Sequence, residues 1–151
     1  MKYEGFTTFS VNQSGPVMHV TFDFGTVNVQ GQEMLADLNS LAMRLERDRD
    51  TKVVIFQSAN PEIWVCHYDT ELLKDMSDEA VSREEAELLD LQAVCERISK
   101  VPQATIAKLE GFARGGGRYG GGRHPRRIDC GRYSIALVRR SNGRQPARHR
   151  Q

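Results

Sequence analysis

The sequence predicts an α/β fold over residues 1–117. Three observations carry that prediction. Strand-like and helix-like segments alternate along this stretch. Two long segments place their apolar residues on one helical face. Between them, Val53-Val54-Ile55-Phe56 is a continuous apolar run, which suits a strand covered on both faces of a sheet.

Residues 3–24 read as a β-hairpin. Phe6, Thr8 and Ser10 alternate with Thr7 and Phe9, and Asn12-Gln13-Ser14-Gly15 supplies turn chemistry. The return run is Val17-Met18-His19-Val20-Thr21-Phe22, in which His19 is expected to face solvent. Residues 31–49 read as an amphipathic helix, with Met34, Leu35, Leu38, Leu41, Ala42 and Leu45 on its apolar face. The charged run Glu46-Arg47-Asp48-Arg49-Asp50 is expected to be no more than its solvated end. Residues 51–58 follow as the buried strand, and 59–69 as a loop. Asp69 is placed to cap a short helix over 70–76.

A second long helix is expected over 82–101. Ser82 and Glu85 make a capping box at its start. Leu88, Leu91, Val94, Cys95, Ile98 and Val101 make its apolar stripe. Glu84, Glu85 and Glu87 lead it, and Arg97 and Lys100 close it, as the helix dipole favours. Thr105-Ile106-Ala107-Lys108-Leu109 is the last strand, and it runs into Gly111 and then Gly115-Gly116-Gly117. The end of such a strand is where α/β sheets bind ligands.

Charge divides the chain near Gly117. Residues 1–117 hold 11 basic and 19 acidic side chains, whereas residues 118–151 hold 10 and 1. The second stretch has only Ile128, Ile135, Leu137 and Val138 as aliphatic anchors, too few to offset the entropy of ordering it. It is therefore expected to be a disordered or irregular Arg/Gly-rich tail (118–151) behind a folded core (1–117). Cys66, Cys95 and Cys130 form no disulfide framework and no CxxC, so a reducing cytoplasm is expected. No apolar run approaches the ~18 residues of a membrane span, and no signal peptide is readable.

Two clusters carry candidate chemistry. Cys66-His67-Tyr68-Asp69 gathers a thiol, an imidazole and a carboxylate. Neighbouring side chains diverge, and no second ligand cluster stands at metal spacing, so no metal is expected. Gly115-Gly116-Gly117 is neither a Walker loop nor a GxGxxG turn. It reads either as a plain flexible turn or as a backbone donor site. In the second case a ligand oxygen meets a main-chain N–H with no Cβ in the way, as in oxyanion holes.

In four pieces the sequence resembles the enoyl-CoA hydratase/isomerase, or crotonase, superfamily. Asn28-Val29-Gln30, with Met34 beyond, is similar to the family's "N-A-L…M" helix entry. Leu45-Glu46-Arg47-Asp48 followed by Val53-Val54-Ile55 resembles "D-x-x-V-x-V-V-I-L". Trp64-Val65-Cys66-His67-Tyr68-Asp69 stands where the family has "F-S/A-A-G-A-D". Ile106 to Gly117 is similar to "I-A-x-x-x-G-x-A-x-G-G-G". The resemblance covers about residues 15–117. It implies a spiral of ββα units, incomplete here, that assembles as trimers or hexamers and binds an acyl-CoA thioester. Coenzyme A would then arrive with the substrate, and no separate cofactor is implied. The catalytic groups would be the backbone N–H of Tyr68 and of Gly116, holding the thioester oxygen and the enolate formed from it. Trp64, Cys66, His67, Asp69, Gly115 and Gly117 would line the substrate.

The sequence also departs from the family. His67 replaces the glycine of "G-A-D". Arg118 and Tyr119 follow the three glycines, where the family has a helix bearing a catalytic glutamate; Asp129 is the one acid left. Hydration needs a base for water and an acid for the α-carbon. The expected function is thus that of an acyl-CoA-binding, hydratase/isomerase-like protein with little or no turnover. The tail itself has two readings. Arg114-Gly-Gly-Gly-Arg118-Tyr119-Gly-Gly-Gly-Arg123 looks like an RGG-type RNA-binding stretch, which would make the chain an interaction module. Arg, Gly, Pro, Ser and His without Lys or Glu is also what a shifted frame of GC-rich coding DNA yields, on a truncated core.

Overall fold

The computed structural model describes residues 3–74, 90–109, 112–113, 128–130 and 133–135. The hairpin is present as β1 (Phe9–Ser14) and β2 (Val17–Phe22). Its turn is tighter than the sequence suggested. Ser14 pairs with Val17, so only Gly15 and Pro16 lie between the strands. Gly15 has a φ of 58°, the positive value that two-residue hairpin turns require. Asn12, Gln13 and Ser14 are consequently strand residues.

Helix α1 (Gln32–Glu46) crosses over to β3 (Val53–Ser58), which pairs parallel to β2. The chain returns through β4 (Ile63–Val65) and helix α2 (Asp90–Ser99) to β5 (Ala104–Ala107), parallel to β3. The main sheet thus runs β1-β2-β3-β5. Met18, Val20, Phe22, Val54 and Phe56 form one core cluster with the six apolar α1 residues named above. Full burial of a large aliphatic side chain stabilises by about 1.5–3 kcal/mol, so this one helix face anchors the fold. Val94 is the buried residue of α2, with Leu91 and Ile98 packed at the margin.

Several details differ from the sequence reading. Val53 and Ile55 are only half-buried, and His19 shares that intermediate exposure rather than facing solvent fully. A continuous apolar run marks a strand with neighbours on both edges; it does not require both faces to be sealed. Asp48 is not part of a solvated helix end: it is 1% exposed and hydrogen-bonded to Tyr3 and Thr51. Cys95 is exposed, because it sits one position off the stripe defined by Leu91, Val94 and Ile98. The loop 59–69 contains β4, and the approach to the glycines contains β6 (Phe112–Ala113). Residues 75–76 of the short helix and the 82–89 start of the second long helix lie outside the described residues.

In the tail, β7 (Ile128–Cys130) and β8 (Tyr133–Ile135) pair antiparallel, two short strands where none was expected. Gly115, Gly116, Gly117, Arg118 and Tyr119 lie outside the described residues. Among the described residues, no helix is long and apolar enough to cross a membrane.

Candidate functional site

The site is built on the segment between β2 and α1. Phe24 follows β2 by two residues, Gly25 turns with a φ of 59°, and Asn28 turns again with a φ of 50°. Asparagine tolerates this left-handed region better than other residues with a side chain. Asn28 is 2% exposed, and both ends of its side-chain amide are engaged. The Phe24 N–H donates to Oδ1 at 2.8 Å, while Nδ2 donates to Ser58 Oγ at 3.0 Å and to the Trp64 carbonyl at 2.9 Å.

The segment then acts as a template for residues 64–69. The Cys66 N–H donates to the Val27 carbonyl at 3.0 Å. The Gln30 N–H donates to the His67 carbonyl at 2.9 Å, and the Asp69 N–H returns a bond to the Gln30 carbonyl at 3.0 Å. Gln30 and Tyr68 therefore form a parallel bridge. Peptide groups alternate direction along an extended strand. Since His67 and Asp69 turn theirs toward Gln30, the Tyr68 N–H points the other way. It donates to no group among the described residues.

Other elements fix the two ends of this loop. Asn60 Oδ1 accepts the Glu62 and Ile63 N–H groups at 2.8 and 3.2 Å, and Ser58 Oγ donates to the Ile63 carbonyl at 2.7 Å. Trp64 packs edge-on against Phe22, with ring centroids 5.8 Å apart. Asp69 caps as expected: its Oδ1 accepts the Glu71 N–H at 3.0 Å, at the start of a 3₁₀ turn, Thr70–Leu73. His67 Nδ1 lies 2.6 Å from the Tyr68 carbonyl. A carbonyl only accepts, so Nδ1 carries the proton in this contact.

β4 is laid parallel to β6, with Ile63 opposite Phe112 and Val65 opposite Ala113. Ala113, two residues before Gly115 in sequence, thus lies beside β4, which leads into the loop that carries Tyr68. Trp64, Cys66, His67, Tyr68 and Asp69 come together on one segment, all half-buried. Among the described residues, no three His, Cys, Asp or Glu side chains are grouped to hold a metal ion.

In solved structures the same architecture recurs. A Streptomyces avermitilis protein assigned as an enoyl-CoA hydratase is 34% identical and superposes with a TM-score of 0.63, over 75% of this chain and 42% of its own. The N-terminal part of this chain has the fold of the enoyl-CoA hydratase/isomerase (crotonase) superfamily.

Other crotonase-fold neighbours are more distant in sequence. An enoyl-CoA hydratase from Bacillus anthracis is 21% identical at a TM-score of 0.62, covering 74% of this chain and 43% of its own. A methylmalonyl-CoA decarboxylase is 19% identical at 0.61, covering 76% and 41%. The chain therefore spans a little over two-fifths of the length of these crotonase-fold proteins. No protein-family model matches the sequence, and no curated protein matches it significantly. Against this fold, the template residues Val27, Asn28 and Gln30 are what sequence reading missed as parts of the site. The available signal was a lone asparagine in a Gly-Thr-Val-Asn turn between a strand and a helix.

Proposed function

We propose that this protein binds an acyl-CoA thioester, with the thioester oxygen received by the backbone N–H groups of Tyr68 and Gly116. The observation that carries the reading is the Tyr68 N–H, turned away from Gln30 and without an acceptor among the described residues. Chain counting adds support: in sequence, Tyr68 and Gly116 each come three residues after the paired Val65 and Ala113. Two such donors favour an oxygen that gains negative charge, as the carbonyl of a thioester does when it becomes an enolate. Trp64, Cys66, His67, Asp69, Gly115 and Gly117 would flank the ligand. Assembly as a trimer or hexamer and a cytoplasmic setting belong to the same proposal.

Turnover is a separate matter. Hydration needs an acid and a base, and Arg118 and Tyr119 occupy the positions where a carboxylate is required. An unperturbed phenol, with a pKa of about 10, is a poor base at neutral pH. Missing one such group costs about 10²–10⁴-fold in rate. The expected result is saturable binding of crotonyl-CoA by the full chain with hydration close to background. Gly116→Pro removes one donor, and should weaken crotonyl-CoA binding while leaving free coenzyme A unaffected. Equal losses for both ligands, or no binding of crotonyl-CoA by the parent chain, would reject the proposal.

The second reading, a nucleic-acid-binding tail, is favoured by one observation, the concentration of ten arginines in residues 118–151. Its mark would be affinity for single-stranded RNA that falls steeply with salt.

A further inference from the structure

We infer that Asn28 is a positioning residue for the thioester site, aiming the Tyr68 N–H without touching the ligand. The inference rests on the reading of Tyr68 as a thioester donor. It begins from an unusual commitment: a buried amide in left-handed backbone, with both of its ends engaged. The three contacts join Phe24 just beyond β2, the end of β3 and strand β4. Oδ1 holds the Asn28 backbone in place through Phe24, and Nδ2 holds β4 through the Trp64 carbonyl.

Among the described residues, four bonds run between residues 27–30 and residues 64–69. Three are backbone bonds, through Val27 and both groups of Gln30. The fourth, Nδ2 to Trp64, is the one of these four that a side-chain substitution removes; Asn60 Nδ2 adds a separate bond to the Thr26 carbonyl at 3.1 Å, nearer the start of the loop. The bond to Trp64 acts at the entry to the loop, four residues before Tyr68. Without it, the direction of the Tyr68 peptide would depend on three bonds at the far end of a half-buried segment. Hydrogen-bond strength falls steeply as alignment is lost. A modest rotation of this peptide would therefore weaken the grip on an oxygen more than it weakens the fold.

The test uses crotonyl-CoA carrying carbon-13 at the thioester carbonyl, bound to the full chain, with the carbonyl stretch read by infrared difference spectroscopy. Asn28→Asp keeps the acceptor for Phe24 and the size of the side chain, but removes both donors. Asn28→Gly keeps the backbone freedom and removes the side chain, and serves if a buried carboxylate prevents folding. The parent chain should shift the carbonyl to lower frequency. Both variants should lose most of that shift and bind crotonyl-CoA about tenfold more weakly, as expected for one hydrogen bond, while free coenzyme A binds as before. A full shift in either folded variant overturns the role of Asn28 and leaves the thioester reading standing. A parent chain that binds with no shift, or does not bind, overturns both.

Discussion

Thr7 and Thr8 close on a single oxygen of Asp37. Their N–H groups donate to Oδ2 at 2.7 and 2.9 Å, and their hydroxyls at 3.2 and 2.9 Å. Burial opposes the charge of Asp37, but these donors outweigh it and hold the carboxyl below its ordinary value. A depressed carboxyl adds stability above its unfolded pKa of about 3.9, and that stability is lost as pH falls through the lower folded value. Asp37→Asn should therefore lower stability at neutral pH and flatten the loss below about pH 4, as followed by urea midpoints across pH. An unchanged acid slope would show that the contact is idle. Asp48 is the other residue on which distant segments converge. Its Oδ2 accepts Tyr3 at 2.5 Å and Thr51 Oγ1 at 2.7 Å, and burial together with that bond pushes the Tyr3 phenol upward. Asp48→Ala removes the carboxylate that accepts both hydroxyls, and should cost about 2–4 kcal/mol in chemical denaturation. A loss within the scatter of surface substitutions would mean that water replaces the carboxylate.

Helix α1 shows how one element divides its labour by face. Leu41 is fully buried, whereas Met43, two positions on, is 46% exposed. Leu41→Ala should destabilise by about 2–5 kcal/mol and Met43→Ala by under about 0.5 kcal/mol, compared by thermal or urea unfolding. Comparable losses would displace the helix from its assigned register. This stripe was legible in the sequence because helical periodicity is local, and Met34 to Leu45 carry three turns of it. β1 was placed too early, with Asn12-Gln13-Ser14 read as turn, whereas strands β2, β3 and β5 were legible from local runs of β-forming residues. β4 and β6 were not, since strands of three and two residues hold no period to read. Asp48 was hidden because its partner Tyr3 lies 45 residues earlier, beyond any local pattern. Of the candidate site, Tyr68 and the glycines stood out by resemblance, and Asp69 by its capping position. Asn28-Val29-Gln30 stood out as a helix entry, but the role of residues 27–30 as a template did not, because three of its bonds are made by backbone, which every residue possesses.

At the scale of the whole molecule, a chain a little over two-fifths as long as its crotonase-fold neighbours still closes one core around α1 and the main sheet. A ligand that binds only the folded state adds stability by mass action, about 2.7 kcal/mol at a hundredfold excess over its Kd. Crotonyl-CoA should accordingly raise the thermal midpoint of the full chain more than an equal concentration of free coenzyme A. Equal shifts would place the whole interaction on the nucleotide. The parallel pairing of β4 with β6 also has a consequence in time. Val65 and Ala113 are 48 residues apart in sequence, so their contact must wait for a long loop to close, whereas the β1–β2 hairpin closes over two residues. Non-local pairing of this kind is slow to form. During refolding, the Phe112 amide, bonded to the Glu62 carbonyl at 2.7 Å, should gain protection from hydrogen exchange after the amides of β2. The hairpin and helix would assemble first, and the seam between β4 and β6 would be the last of these contacts to come into being.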